Sequence, residues 1–108
     1  SESLIDGGTA ISGSGPGYVF YLLEQWEATA IELGFTATQA KMLISETLIG
    51  SVAMWQDKDR ESKALKEGVR SEGGTTDAAF KVFESEGFEK TFKKALYAAH
   101  ARAKELSR

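Results

Sequence analysis

Ser12-Gly13-Ser14-Gly15-Pro16-Gly17-Tyr18-Val19-Phe20 is the stretch on which the fold turns. Its first half is rich in glycine and serine and reads as flexible. Pro16, with its fixed φ and missing N–H, suits the first turn of a helix and predicts one starting there. From Val19 to Leu33 the apolar residues Val19, Phe20, Leu22, Leu23, Trp26, Ala30, Ile31 and Leu33 cover more than one face, and Gly34 supplies a stop. Such a helix needs burial on several sides.

Downstream, Thr36 followed three residues later by Gln39 matches a capping box and predicts a second helix through Met42, Leu43, Thr47, Leu48, Val52 and Trp55. Gly50 lies inside it. A mid-helix glycine costs about 1 kcal/mol relative to alanine, so either another helix packs closely there or the helix is locally weak. The charged stretch Gln56 to Lys63 reads as a solvated connection, and Ala64 to Val69 as a short third helix. Then Arg70-Ser71-Glu72-Gly73-Gly74-Thr75-Thr76 runs as a loop into Asp77, Ala79, Phe80, Val82 and Phe83, with Thr75 or Thr76 expected to cap a fourth helix. After Gly87, apolar residues from Phe88 through Phe92, Leu96, Ala99 and Ala103 to Leu106 recur every three or four positions and define the last helix. Strand signals are nearly absent, and the reading is all-α.

Composition bounds the chemistry. The 108 residues are 42% hydrophobic and 27% charged, ordinary for a folded soluble domain. A net charge of -3 offers no basic excess to neutralise a phosphate backbone, so nucleic acid is not expected as a partner. Without cysteine there is no disulfide or thiolate chemistry, and one His cannot build a His- or Cys-rich zinc site, so no metal is expected. No apolar run reaches the roughly 18 residues of a membrane span, and SESLIDGGTA lacks the pattern of a signal peptide, which predicts a cytoplasmic protein away from membranes. The chain opens on Ser1 rather than an initiating methionine, as a segment of a longer chain would.

The loop before the fourth helix is the most informative candidate site. Two glycines permit close backbone approach, and a helix N-terminus presents unpaired N–H groups at the positive end of its dipole. A small carboxylate could rest on the N–H groups of Gly74, Thr75 and Thr76, with a threonine hydroxyl reaching a second polar atom of the ligand. The plainer alternative is a capped helix start with no ligand. Ser12 to Gly17 has neither the GxxxxGK[ST] pattern nor a preceding strand, so it is read as a helix entrance rather than a phosphate loop. His100 has no triad partners, Glu84, Glu86 and Glu89 read as solvated, and Trp26 and Trp55 as core or interface anchors.

Two segments, taken in order, carry a family resemblance. Thr9-Ala10-Ile11-Ser12-Gly13-Ser14-Gly15-Pro16-Gly17-Tyr18-Val19-Phe20 resembles the TAxSGSGPAYVF segment of pyrroline-5-carboxylate reductases, and Ser71-Glu72-Gly73-Gly74-Thr75-Thr76 resembles their SPGGTT loop. The similarity extends through Ile5-Asp6, Ile49-Gly50-Ser51 and Val82-Phe83-Glu84 to Gly87-Phe88, nearly the whole chain. It implies that residues 1–108 are a C-terminal domain for dimerisation and substrate binding, an all-α helical bundle that interleaves with its copy in a homodimer; further assembly of dimers stays open. The family's N-terminal Rossmann domain, which holds NADPH or NADH, has no counterpart here: there is no GxGxxG and no strand-turn-helix unit. No cofactor is therefore expected on this segment, and the isolated domain should be inactive.

The family reaction reduces 1-pyrroline-5-carboxylate to L-proline. Carried over by position, Gly73, Gly74, Thr75 and Thr76 would bind the substrate, and Thr76 would be the catalytic residue, its hydroxyl contacting the imine nitrogen. Three departures stand out. Gly17 replaces an alanine, Glu72 replaces the proline of the loop and sets a negative charge beside a carboxylate ligand, and Asp57 to Ser62 lacks the usual Gly and Pro. Two alternatives follow: an oligomerisation module whose ligand loop has decayed, or a domain of a related cyclic imine reductase.

Overall fold

The computed structural model describes residues 1–57 and 59–108; Lys58, within the charged connection expected from the sequence, lies outside the described residues. Helices α1 (Glu2–Gly8), α2 (Gly15–Glu32), α3 (Ala37–Gln56), α4 (Ser62–Gly68), α5 (Thr75–Ser85) and α6 (Phe88–Leu106) follow one another, with a π-helical turn at Thr9–Gly13 between α1 and α2. No strand occurs among the described residues, so the all-α reading holds.

Two compact units divide the chain, residues 1–21 with 81–108 and residues 22–80, the boundaries falling inside α2 and α5. In the first, α1, the π-helical turn and α6 pack together. Helix α1 has no counterpart in the sequence-based expectation, and, Ser14 apart, the stretch from Ser12 to Gly17 lies in helical structure rather than in a flexible segment. Instead Ser1 caps α1, the hydroxyls of Thr9 and Ser12 donate back to the carbonyls of Ile5 and Gly8, and the Ser14 N–H reaches the Thr9 carbonyl at 2.8 Å. That five-residue bond is the π-helical widening. The Tyr18 hydroxyl donates to the Ala10 carbonyl at 2.6 Å, and the Tyr18 ring meets Phe92 edge-on at 6.5 Å. Phe92 stacks on Phe88 at 6.0 Å, and Phe88 lies 5.1 Å from Phe83 across the turn at Gly87, whose φ of +74° suits glycine. Asp6 is 2% exposed; among the described residues its Oδ2 has no hydrogen-bond partner, and the Arg108 guanidinium lies 3.9 Å from it.

In the second unit Gly34, at φ +109°, ends the α2 region as expected. The capping box at Thr36 is complete: the Gln39 N–H donates to the Thr36 hydroxyl at 3.1 Å, and the Thr36 N–H donates to Gln39 Oε1 at 3.0 Å. Ala40 and Ile44 are buried and, with Trp26, Ala30 and Phe35, help line a groove of about 220 Å³. Among the described residues, and apart from the helix's own backbone, nothing lies within 4 Å of a Cβ built on Gly50, so no other part of the chain packs closely there.

Little is enclosed. Among the described residues the buried apolar ones are Ala10, Ala40, Ile44 and Ala103, while Phe20 is 66% and Ile49 71% exposed. The accessible surface of 8682 Å² compares with about 5,900 Å² for a compact protein of this mass, or about 7,100 Å² for two separate compact bodies of half the mass. Few contacts join residues distant in sequence.

Candidate functional site

The loop between α4 and α5 is built by local hydrogen bonds. After Gly68 the Val69 N–H caps α4 on carbonyls of its last turn, and the Arg70 N–H donates to the Glu67 carbonyl at 3.1 Å. The chain then turns: the Gly74 N–H donates to the Ser71 carbonyl at 2.9 Å, and Gly73 sits at φ +76°, where a side chain would be strained. A Cβ on Gly74 would come within 3.1 Å of the Ser71 carbonyl oxygen and 3.3 Å of its hydroxyl. Each glycine of the pair has its own reason.

Helix α5 starts differently from the sequence expectation. Thr75 is its first residue, and the Gly74 carbonyl already accepts the Ala78 N–H at 3.1 Å, so Gly74 holds the capping position and both threonines lie in the first turn. Glycine at the cap leaves the side-chain duty to a later residue. Asp77, 5% exposed, accepts the Gly73 N–H on Oδ2 at 3.1 Å and the Arg70 Nε on Oδ1 at 2.6 Å. Its position resembles the reciprocal half of a capping box, a carboxylate three residues in reaching back past the helix start. Arg70 is braced in turn, its guanidinium carbon 5.4 Å from the Phe80 ring centre.

Four amides are thus sorted. Those of Gly73 and Gly74 are used inside the loop, by Asp77 and Ser71, whereas those of Thr75 and Thr76 open the helix, where the ladder supplies no acceptor. Thr75 is exposed and Thr76 half-buried. Glu72 is exposed beside them. Gly73, Gly74, Thr75 and Thr76, the residues singled out from sequence, are brought together by this turn. The reading missed Arg70 and Asp77, and the signal was present: an acidic residue three positions after the cap, with a basic residue seven before it.

Elsewhere the chemistry is sparse. In the first unit a groove of about 300 Å³ is lined by residues that include Gly7, Ala10, Ile11, Lys93, Tyr97 and His100. A hydrogen bond from Lys93 to Glu89 at 2.9 Å, then the charge of Glu89, hold the ammonium above the ordinary lysine value. Among the described residues no group of three or more His, Asp or Glu could hold a metal ion, and no helix is long and apolar enough to cross a membrane.

The model of the pyrroline-5-carboxylate reductase dimerisation family matches residues 2–106. This chain belongs to that family. The pyrroline-5-carboxylate reductase of Pseudomonas aeruginosa is 39% identical over 106 residues, 98% of this chain and 39% of its own length. A solved pyrroline carboxylate reductase from Plasmodium falciparum with NADP bound superposes with a TM-score of 0.94 at 31% identity, covering 100% of this chain and 41% of that one. A pyrroline-5-carboxylate reductase from Coxiella burnetii gives 0.92 at 42% identity, covering 100% and 40%. The chain thus spans about two fifths of the pyrroline-5-carboxylate reductases it matches.

Proposed function

We propose that residues 1–108 are the C-terminal dimerisation and substrate-binding part of a pyrroline-5-carboxylate reductase, working in the cytoplasm on the reduction of 1-pyrroline-5-carboxylate to L-proline. The observation that carries this is the family match over residues 2–106 together with a loop that leaves two helix-opening amides beside a half-buried threonine. The substrate carboxylate rests on the N–H groups of Thr75 and Thr76, favoured by the helix dipole. Gly73 and Gly74 shape the turn and allow the ligand to approach the backbone. The Thr76 hydroxyl orients the imine nitrogen. A threonine hydroxyl is a weak acid, so its contribution is chiefly positioning, and the proton that completes the amine comes from Thr76 or from water relayed past it.

NADPH or NADH is the hydride donor of such an enzyme. In this reading a separate Rossmann domain holds the dinucleotide, and this chain's share is to hold and orient the imine. The exposed apolar faces of α2 and α3 support self-association as a homodimer, since Phe20 and Trp26 stay open and Leu23 and Leu48 are only half-covered.

The decisive experiment joins the chain to a dinucleotide-binding domain of the family and follows imine-dependent NADPH oxidation. Turnover supports the reading; a folded two-domain protein that consumes no NADPH with the imine overturns it. Screening related cyclic imines in the same assay separates 1-pyrroline-5-carboxylate from neighbouring substrates. The exposed charge of Glu72 favours a second reading, a pairing module whose loop has lost its ligand. Titration with L-proline followed by amide NMR distinguishes them: shifts at Gly73 to Thr76 support a working site, and none at high ligand favours the module.

A further inference from the structure

We propose that Arg70 and Asp77 are positioning residues that lock the Ser71–Gly74 turn so that the Thr75 and Thr76 amides are preorganised for a carboxylate; this rests on the substrate reading above. Asp77 is nearly enclosed, with its side chain 7% and that of Arg70 19% exposed, and the two are paired with each other. One carboxylate oxygen takes the Arg70 Nε at 2.6 Å and the other takes the Gly73 N–H at 3.1 Å. Those two bonds tie together the residue before the turn, the glycine at φ +76° and the first turn of α5.

The SPGGTT pattern places proline, with a locked φ, where this chain has Glu72. A loop released at that point has more conformations to lose on binding, and the carboxylate bridge restricts it by hydrogen bonding instead. The pairing also answers an electrostatic difficulty. A bare carboxylate at position 77 would repel an anion on the neighbouring amides, and the adjacent guanidinium neutralises it. Gly73's amide, taken by Asp77, is then withheld from the ligand, which directs the ligand to Thr75 and Thr76.

The test titrates L-proline into the 15N-labelled chain and reads the amides of Gly73 to Thr76, with helicity and association state checked for every variant. Asp77→Asn is expected to move the Gly73 amide resonance, as its bond to a carboxylate is lost, and to weaken proline binding about tenfold, while Asp77→Glu, long enough to reach Gly73, recovers part of the loss. If Asp77→Asn displaces the Gly73 resonance but binds proline as tightly as the parent, the locking role is overturned and the substrate reading stands. If the parent chain itself shows no proline shifts, the substrate reading is overturned and the locking role with it, an outcome recognisable because it needs no substitution. Should Asp77→Asn fail to fold, Arg70→Lys decides: it keeps the charge but loses the Nε geometry, so severalfold weaker binding in a folded chain supports the role and unchanged binding overturns it.

Discussion

Gly73 and Gly74 look interchangeable in the sequence and are not. Gly73 has a positive φ with nothing within 4 Å of an added Cβ, so Gly73→Ala meets no clash and carries only the left-handed backbone penalty, about 1 kcal/mol. Gly74→Ala forces a methyl against the Ser71 carbonyl oxygen at 3.1 Å, the same oxygen that accepts the Gly74 N–H. Thermal unfolding should therefore show a modest loss for the first and a larger one for the second, with the Gly74 variant losing protection of that amide in hydrogen exchange. A reversed order would mean that backbone conformation, not the close approach, limits the turn. The pair was legible as a tight loop because glycine in tandem has few other uses. Which glycine did what was not, since φ and contact distance are set by Ser71, Asp77 and the chain between them.

Helix α3 begins where Thr36 and Gln39 said it would, because a capping box is local chemistry that needs no tertiary partner. Thr36→Ala should cost about 1 kcal/mol and lower the thermal midpoint by about 5 °C, read by circular dichroism. Helix α1 and the π-helical turn escaped the sequence reading for the opposite reason. Gly7, Gly8 and Gly13 are weak helix formers, and what carries the chain through them is serine and threonine back-bonding and the packing against α6. Gly50 raises the element-scale question left by the sequence. With no neighbour packed closely against it among the described residues, the approach it permits is open to another copy; if a copy uses it, Gly50→Ala is expected to weaken self-association while leaving helicity intact. Sedimentation of the variant beside the parent checks this, and an undiminished dimer would mean the glycine only weakens α3.

At the scale of the molecule, the accessible surface of one chain exceeds that of even two compact bodies of half the mass by about 1,600 Å², about twice what one partner gives to a standard interface and in the range of an obligate one. The same demand is legible in the sequence from a helix apolar on several sides, but not how small the enclosed remainder is: among the described residues four apolar ones are buried, three of them alanine. Light scattering is expected to find a dimer at micromolar concentration, and a stable folded monomer there would refute it. The thermal midpoint should also climb as the chain is concentrated, because association adds its free energy only to the paired state.

The scarcity of contacts between distant parts of the sequence has a kinetic corollary. Helices form from neighbours along the chain within microseconds, whereas meeting a second molecule is a bimolecular event. Refolding from denaturant should therefore split into an early rise in helical signal whose rate ignores dilution and a later tryptophan change whose rate doubles when the amount of polypeptide is doubled.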